Sequence, residues 1–226
     1  MIEVADLSKS FTLHNQGGTT IEVLRGAALR VAPGECVALT GPSGAGKSTL
    51  MRLIQGNYRA AAGSIRIGGV EIAGADARTV LALRRNTLGH VSQFLRVVPR
   101  VPARAVVAEP LLAVGTDPAK ADAQACALLA RLRLPASLWD LSPTTFSGGE
   151  QQRVNIARGL VHPFPALLVD EPTASLDGAN RDTVLELLAE AKARGAAILG
   201  IFHDPSVRAA ICEREVDVGA FTPGPA

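Results

Sequence analysis

A phosphate-binding pattern lies near the start of the chain. The run from Gly41 to Lys47, followed by Ser48 and Thr49, fits G-x-x-x-x-G-K-[ST]. Phosphates need several converging N–H donors, and glycines allow the backbone to curl closely around them. The lysine can reach the β- and γ-phosphates, and the serine hydroxyl can bind Mg²⁺. The expected nucleotide-binding residues of this run are Gly41, Pro42, Ser43, Gly44, Ala45, Gly46, Lys47, Ser48 and Thr49.

Two adjacent carboxylates follow an apolar run in the second half of the chain. Leu167 to Val169 has the composition of a buried strand, and Asp170 and Glu171 come directly after it. Asp170 is expected to hold Mg²⁺ through water, and Glu171 to polarise the attacking water as a general base. An Asp-Glu pair alone is more often a solvated turn. The phosphate-binding pattern in the same chain favours the catalytic interpretation.

A second, smaller anion site is predicted at Ser147, Gly148, Gly149 and Glu150. These residues open a predicted helix that runs to Leu160, and its free N–H groups and dipole favour a phosphate. One nucleotide does not need two such sites from one chain. We therefore expect the second site to contact the ATP of another subunit, which makes the working unit a dimer.

The composition is that of an ordinary globular protein. The chain has 226 residues, 47% apolar and 19% charged, which fits one large domain or a core domain with a smaller lobe. A net charge of +2 provides no electrostatic footprint for nucleic acid. The three cysteines, Cys36, Cys126 and Cys212, are far apart and are expected to be buried apolar residues in a reducing compartment.

The sequence shows no signal-peptide pattern and no apolar run approaching ~18 residues. We therefore expect a soluble, cytoplasmic protein without direct membrane insertion. Any action at a membrane would go through a partner.

Alternating apolar strands and amphipathic helices predict an α/β core with a parallel, helix-covered sheet. Predicted buried strands end just before Gly41, Asp170 and His203. Ligands of such sheets bind at the carboxyl ends of the strands. The three segments are therefore expected to converge on one edge of the sheet.

The remaining segments suggest a division into lobes. Short strands with a turn at Asn15–Gly18 predict an antiparallel β lobe, which together with the phosphate-binding part of the core covers residues 1–92. A helical lobe punctuated by prolines is expected at about residues 93–160. Residues 161–218 would complete the core, and the Pro/Gly-rich residues 219–226 are expected to form a flexible tail.

The order of these motifs resembles that of ATP-binding-cassette (ABC) ATPases over nearly the whole chain. The run Phe146 to Glu150 resembles the signature of that family, normally Leu-Ser-Gly-Gly-Gln, and departs from it at both ends. Asp170 and Glu171 match the Mg²⁺ carboxylate and the catalytic base. The resemblance implies an ATP- and Mg²⁺-dependent dimer with an antiparallel β subdomain, a parallel-sheet P-loop core and an inserted helical subdomain.

The same resemblance implies roles for further residues. Gln93 matches the glutamine that senses Mg²⁺ and couples to partners, and His203 matches the histidine that contacts the γ-phosphate. Ala174 to Asp177 matches a loop that communicates across the dimer. Phe11 stands where an aromatic side chain usually stacks on adenine, which phenylalanine can do without the hydroxyl of tyrosine.

Residues 92–100, 145–159 and 195–204 are also similar to the PhnL family, the ABC-type ATPases of the bacterial phosphonate carbon–phosphorus lyase system. Asn155 and Gly159, inside the signature helix, are part of that similarity. It implies a soluble ATPase that supports formation of α-D-ribose 1-phosphonate 5-triphosphate. Its implied partners are the other lyase-system proteins, including a sister ABC subunit.

Two further functions remain open. The motifs equally permit the nucleotide-binding subunit of a membrane importer or exporter, in which the segment from Gln93 to Leu112 would receive a cytoplasmic helix of the transporter. A non-hydrolysing assembly clamp is the third interpretation, and the complete catalytic set with Glu171 argues against it. A homodimer and a pairing with a sister ABC subunit are both compatible with the motifs.

Overall fold

The computed structural model describes residues 1–13 and 17–223, which form two β-sheets and a group of helices. The strands are β1 (Ile2–Leu13), β2 (Thr19–Val31), β3 (Cys36–Thr40), β4 (Ala62–Ile67), β5 (Val70–Glu71), β6 (Leu88–Val91), β7 (Ala166–Asp170), β8 (Ala197–Ile201) and β9 (Arg214–Asp217). The helices are α1 (Lys47–Ile54), α2 (Ala77–Asn86), α3 (Ala103–Ala113), α4 (Pro118–Arg131), α5 (Gly148–Leu160), α6 (Gly178–Ala193) and α7 (Pro205–Ile211). Short 3₁₀ helices lie at Ala136–Leu138, Pro143–Thr145 and Val218–Phe221.

The first sheet is antiparallel, with the strand order β2-β1-β4-β5. The sequence pattern predicts four short strands in residues 1–31, whereas the structure has two long strands there. Polar residues interrupt the apolar alternation, and the strands continue through these points by register shifts between Val4 and Ser10. Of the turn predicted between the strands, Asn15 and Gln16 lie outside the described residues.

The second sheet is parallel, with the strand order β6-β7-β8-β3-β9. Its inner strands are buried on both faces, as their continuous apolar runs indicate. Along β7, Leu167 and Val169 belong to the core shared with the helical lobe, whereas Ala166 and Leu168 belong to the core shared with the antiparallel sheet. The predicted α/β fold with an antiparallel subdomain and a parallel-sheet core is confirmed.

Two elements near the C-terminus are not predicted by the sequence pattern. Strand β9 lies at the edge of the parallel sheet, and its polar residues are mostly exposed, so no apolar run marks it. Helix α7 is seven residues long and buries only Val207 and Ile211, which is too little to establish a helical period. Both elements nevertheless pack close to the candidate site.

Helices α3, α4 and α5 form the helical lobe. The first of them begins at Ala103, so residues 93–102 are a non-helical connection from β6. Proline punctuates the lobe as the sequence indicates, with Pro118 at the start of α4 and Pro110 inside α3. Among the residues that the structure describes, none of the helices combines the length and apolar character needed to cross a bilayer.

The segment after β9 packs against the core. The sequence pattern predicts a flexible tail from residue 219, but Val218–Phe221 form a 3₁₀ helix. The Gly219 N–H donates to the Asp217 carboxylate at 2.8 Å, and the Thr222 hydroxyl donates to the Ala45 carbonyl at 3.2 Å. The tail prediction is therefore wrong for residues 219–222, which lie behind the phosphate-binding loop. Residues 224–226 lie outside the described part of the chain.

Replacing Gly159 with alanine is expected to lower the melting temperature by about 3–10 °C. A Cβ at Gly159 would lie 2.5 Å from Val91 Cγ2 and 3.1 Å from the His90 carbonyl, so α5 would be pushed away from β6. Gly178→Ala is the control, because a Cβ at this helical glycine meets open space. Thermal denaturation of the two variants checks this, and equal melting temperatures would contradict it.

Candidate nucleotide-binding and hydrolysis site

The loop between β3 and α1 has the backbone geometry that its glycines predict. Gly41 and Gly46 have φ values of 123° and 95°, which residues with a Cβ rarely adopt. A Cβ on Gly41 would also lie 2.9 Å from a carboxylate oxygen of Asp217. The loop leads directly into the N-terminus of α1 at Lys47, where N–H groups without a helical partner favour anions.

The Lys47 side chain lies folded over this loop. Its ammonium donates to the carbonyl oxygens of Gly41 at 2.7 Å and Pro42 at 2.9 Å. An anion that enters the loop would therefore meet a cation already held beside it. The exposed residues here are Pro42, Ser43, Gly44 and Ser48, whereas Ala45 is buried and Thr49 is half-buried.

Asp170 and Glu171 lie at the carboxyl end of β7. Glu171 has a φ of 51°, which is uncommon for a residue with a Cβ, and its N–H donates to the Ile201 carbonyl at 2.9 Å. Burial and the charge of Glu171 raise the pKa of Asp170, while Arg52 and His203 oppose this shift. A cation beside Asp170 would offset both causes of the raised pKa.

Glu171 is the centre of a polar cluster formed by three loops. His203 Nε2 lies 2.6 Å from Glu171 Oε1, and Gln93 Nε2 donates to Glu171 Oε2 at 3.4 Å. The three loops follow β6, β7 and β8, which are neighbours in the parallel sheet. The structure thus brings together the three residues that the sequence predicts to be catalytic. His203 is the most accessible of the bonded pair, with 68% of its side chain exposed against 18% for Glu171.

Helix α7 bonds to the backbone of the loop that carries His203. Arg208 Nη1 donates to the carbonyls of Phe202 at 2.8 Å and His203 at 3.1 Å. Arg208 was not identified from the sequence, because α7 itself is not predicted there. The signal that could have shown it is Asp204 followed by Pro205, a helix cap followed by a first-turn proline.

The expected Mg²⁺ ligands are a hydroxyl, an amide and a carboxylate, from Ser48, Gln93 and Asp170 respectively. All three offer the oxygen donors that Mg²⁺ prefers, and it usually takes its other ligands from phosphates and water. In residues 1–13 and 17–223, no group of three or more His, Cys, Asp or Glu residues is placed to hold a metal. The donor chemistry and the raised pKa of Asp170 fit a Mg²⁺ ion held jointly with a nucleotide.

The predicted second anion site lies at the N-terminus of α5, where Ser147 and Glu150 cap the helix through reciprocal hydrogen bonds. The Ser147 hydroxyl and N–H donate to Glu150 Oε2 at 2.7 and 2.8 Å, and the Glu150 N–H donates to Ser147 Oγ at 3.4 Å. The bonds from Ser147 lower the pKa of Glu150. Ser147 and Gly148 are exposed and Gly149 is half-buried, so this helix end is open to solvent. The Ser-x-x-Glu spacing is a capping-box signal that the sequence already contains.

The two departures from the usual signature have separate structural explanations. Phe146 is 8% exposed and packs, as an apolar residue, into the core of the helical lobe. Glu150 supplies the cap just described. Neither change displaces the Ser147–Gly149 backbone from the start of α5.

Helix α5 is also bonded to two of these three loops, those that follow β6 and β7. Gln152 Nε2 donates to the Pro172 carbonyl at 3.2 Å, one residue beyond the predicted general base. The Asn155 amide donates to the Ser92 carbonyl, and the Ser92 hydroxyl donates to Asn155 Oδ1 at 3.4 Å. Any displacement of α5 therefore acts directly on the loops that carry Glu171 and its glutamine partner.

Phe11 lies on β1, in the antiparallel sheet. Its ring meets Tyr58 edge to face at a centroid distance of 5.3 Å, and the Lys9 ammonium lies 4.7 Å from the Phe11 centroid. Tyr58 and Lys9 were not identified from the sequence. The adenine-stacking role of Phe11 stays a prediction.

A glycine loop after one parallel strand and adjacent carboxylates after another define this protein as a P-loop nucleotide hydrolase. Comparison with known families is more specific, because residues 24–174 match the family described as ABC transporter. The chain therefore belongs to the ABC transporter family and binds ATP with Mg²⁺.

Solved structures agree with this assignment. The ATP-binding cassette MJ0796, in a dimeric post-hydrolysis state bound to ADP and Pi, superposes with a TM-score of 0.88 at 26% identity, covering 97% of this chain and 95% of that chain. A structure of the ATP-binding subunit of an ABC transporter has a TM-score of 0.84 at 28% identity, over 97% of this chain and 87% of that one. The helical subdomain inserted into the core is confirmed by these likenesses.

Curated relatives include ATP-binding proteins of lipoprotein-releasing and export systems. The lipoprotein-releasing system ATP-binding protein LolD of Novosphingobium aromaticivorans is 43% identical over 90% of this chain and 90% of its own length. The macrolide export ATP-binding/permease protein MacB of Marinobacter nauticus is 37% identical over 96% of this chain, which spans 33% of that protein. The pyoverdine export ATP-binding/permease protein PvdT of Pseudomonas entomophila is 40% identical over 96% of this chain and 33% of its own length.

These relatives change the weight of the alternatives. The ABC part of the sequence-based prediction is confirmed, but its narrower similarity to PhnL and the phosphonate lyase system finds no support among them. Two residues of that similarity also have roles inside the fold. Asn155 bonds to the Ser92 carbonyl, and Gly159 lets α5 approach β6 closely.

Proposed function

We propose that this chain is the ATP-hydrolysing subunit of an ABC transporter and that it works as a dimer with a membrane-embedded permease. The LolD relative supports this proposal, because it is the ATP-binding protein of a lipoprotein-releasing system and is 43% identical to this chain. The MacB and PvdT relatives carry the matching cassette as 33% of a longer ATP-binding/permease protein. A cytoplasmic location, as the sequence predicts, belongs to this proposal.

Each candidate residue has a role in the proposed hydrolysis. The Gly41–Thr49 loop and Lys47 bind the phosphates, and Phe11 stacks on adenine. Ser48, Gln93 and Asp170 would hold Mg²⁺, which would supply positive charge to neutralise charge that develops on the phosphates.

Glu171 is the proposed general base. A Glu171 carboxylate oxygen accepts the proton of the attacking water, and before nucleotide binds Gln93 and His203 hold the carboxylate in place through the bonds described above. When the γ-phosphate is present, His203 Nε2 donates to it instead, which leaves Glu171 Oε1 free to accept from water. This exchange couples arrival of the nucleotide to activation of the base.

The open N-terminus of α5 is the proposed contribution of the second subunit. Ser147 and Gly149 would cap the γ-phosphate bound by the facing chain, as dipole and free N–H groups favour. Gly149 lies against the loop matched to dimer communication, because a Cβ there would lie 3.1 Å from the Ser175 carbonyl. Within one chain, the N-terminus of α5 is therefore in contact with the loop that follows Glu171.

One cleft is the proposed docking site for the permease. It has a volume of about 480 Å³, lies between α2, α3, α5 and β6, and reaches Ser92 at the start of the Gln93 loop. Leu81 on its rim is 62% exposed. A short partner segment seated there would touch the loop that bonds to Glu171, which is what coupling of transport to hydrolysis requires.

The cleft favours an acidic partner segment. Arg84, Arg85 and Arg158 line it against the single carboxylate of Glu109. Burial and the charges of Arg84 and Arg158 lower the pKa of His90 to about 4, so this histidine is neutral near pH 7 and the arginines carry the charge. A helix with one carboxylate and an apolar face would satisfy both components of the lining.

The cleft is also connected to the nucleotide through α1. This helix begins at Lys47, and its C-cap, Gln55, donates from Nε2 to His90 Nδ1 at 2.8 Å. Arg84 donates twice to the Gln55 carbonyl, at 2.8 and 3.0 Å. The phosphate loop and the cleft therefore lie at opposite ends of helix α1.

Purification of the tagged chain from detergent-solubilised membranes tests the proposal. We expect a membrane-spanning permease to co-purify in stoichiometric amount. A water-soluble complex with carbon–phosphorus lyase proteins would contradict the proposal and restore the phosphonate interpretation.

Arg85→Glu is expected to lower recovery of the permease about tenfold or more, because like charges at an interface cost several kcal/mol. Arg78→Glu is the matched control, since it makes the same charge change on the same helix but outside the cleft. Quantitative mass spectrometry of the purified complexes measures the ratio. Equal recovery with both variants would exclude the cleft as the docking site.

A further inference from the structure

Two cysteines that are 176 residues apart in sequence lie side by side in the structure. Cys36 Sγ and Cys212 Sγ are 3.3 Å apart. Cys36 is the first residue of β3 and is fully buried, whereas Cys212 directly follows α7 and is half-buried. The sequence-based expectation of three buried cysteines holds for Cys36, whereas Cys126 and Cys212 are half-buried.

The surroundings make the two sulfurs chemically different. The hydrogen bond from the Cys36 thiol lowers the pKa of Cys212, and the Lys192 charge adds to this shift, while burial and the carboxylates of Glu213 and Glu215 oppose it. The same hydrogen bond and burial raise the pKa of Cys36. Lys192 is held beside the pair, because its ammonium donates to the Ile211 carbonyl at 2.9 Å and to Glu213 at 2.6 Å. Cys212 is thus both the more accessible and the more acidic sulfur, which are the properties of a thiol that reacts with oxidants.

We propose that Cys36 and Cys212 are an oxidisable pair that closes a reversible disulfide when the protein meets a hydroperoxide such as hydrogen peroxide. The Cys212 thiolate takes a hydroxyl from the peroxide, and the hydroxide released gains a proton to become water. Cys36 sulfur then attacks the Cys212 sulfenic acid, and the Cys36 proton leaves with the hydroxyl as a second water. Overall, two thiols and one hydrogen peroxide give one disulfide and two water molecules.

The position of the pair gives the bond a mechanical consequence. Strand β3 leads from Cys36 into the phosphate loop, while α7 ends at Cys212 and holds the His203 carbonyl through Arg208. A disulfide would therefore link the first residue of β3 to the C-terminal end of α7, the helix that bonds to the His203 carbonyl. It would restrict the movement of His203 that the exchange from Glu171 to the γ-phosphate needs. In a reducing compartment such a bond is transient, as redox-sensing disulfides are.

Formation of the bond is tested with hydrogen peroxide on the full chain, without nucleotide. Intact and peptide mass spectrometry are expected to show loss of two hydrogens and a single Cys36–Cys212 cross-link, which dithiothreitol removes. The oxidised protein should melt about 5–15 °C higher than the reduced protein, because the bridge closes a long loop. Cys126→Ser should behave like the wild type, and Cys212→Ser and Cys36→Ala should show neither effect. Overoxidised Cys212 without a cross-link would refute the pair, and so would a cross-link through Cys126.

The consequence for hydrolysis is measured separately. ATP turnover of the oxidised wild type is expected to fall about fivefold or more, within the usual range of coupling between sites, and to recover with dithiothreitol. Cys212→Ser should show no such loss. A complete disulfide with unchanged turnover would make the regulatory part of the proposal wrong. Neither the mass nor the melting measurement involves ATP, so the failure of the proposed transporter function would not alter those results.

Discussion

Replacing Glu171 with glutamine should slow ATP hydrolysis by about 10²–10⁴-fold while ATP still binds. The substitution keeps the size of the side chain but removes the basic oxygen that accepts the proton from water. Gln93 and His203 bond to the two carboxylate oxygens of Glu171 at 3.4 and 2.6 Å, so the base is held in one orientation at 18% exposure. An amide at this place can satisfy the hydrogen bonds in part but cannot take the proton.

The same variant should accumulate as an ATP-bound dimer, because the step that reopens the dimer is blocked. Phosphate release and size-exclusion chromatography with Mg²⁺–ATP measure the two effects. Glu186→Gln makes the same chemical change on the exposed face of α6 and should hydrolyse ATP at the wild-type rate. Turnover that is unchanged in Glu171→Gln would remove this residue from the role of base. If turnover falls but the protein remains monomeric, the capping role of Ser147 in the second subunit is wrong.

Replacing Lys47 with alanine should weaken ATP binding by about 10- to 150-fold, since a hydrogen bond to a charged group contributes about 1.5–3 kcal/mol. The ammonium lies at the phosphate loop through bonds to Gly41 and Pro42, so it is in place before ATP arrives. Its removal leaves two carbonyls near solvent without a partner, which costs the fold little. The loss therefore falls on the complex rather than on the free protein.

Calorimetric titration with Mg²⁺–ATP measures the affinity, and thermal denaturation without nucleotide checks the fold. ATP should raise the melting temperature of the wild type much more than that of Lys47→Ala, because stabilisation grows with the ratio of ligand to dissociation constant. Lys120→Ala, on the exposed surface of α4, should bind ATP normally. Equal affinities for the two variants would show that Lys47 does not contact the phosphates.

The elements that position the site were largely predictable. Strands β3, β7 and β8 are short apolar runs. The phosphate loop, the Asp170–Glu171 pair and His203 lie at or just beyond their carboxyl ends. A parallel sheet brings carboxyl ends to one edge, so the neighbourhood of Glu171 and His203 follows from fold class alone. The capping box at Ser147 was also present in the sequence, as a polar residue followed three positions later by glutamate.

Other features had no local signal. Strand β9 is polar because it lies at the sheet edge, and α7 is too short to show a period, so Arg208 and its bond to His203 could not be predicted. The tail was interpreted as flexible from its prolines and glycines, yet Thr222 bonds to the Ala45 carbonyl behind the phosphate loop. Each of these depends on a partner from a remote part of the chain.

The partner protein was the least predictable feature. The ABC motifs describe how ATP is held and cleaved, and these requirements are shared by transporters and soluble complexes alike. Similarity in residues 92–100, 145–159 and 195–204 suggested the phosphonate system, which the relatives named above do not support. Two residues of that similarity, Asn155 and Gly159, also serve contacts inside the fold. The cleft lined by Arg84, Arg85 and Arg158 is the surface at which we propose that the partner binds, and it is assembled from four separate elements.

The sequence by itself determined the phosphate-binding loop, the carboxylates at the end of β7 and the prediction of a second anion site, because each is a short run whose residue types act through their own backbone. Only the tertiary structure decided which remote side chains meet: His203 and Gln93 on Glu171, Cys36 beside Cys212, and three arginines around one cleft. Such contacts join residues tens to hundreds of positions apart, and their geometry is set by how helices and strands pack rather than by any local pattern.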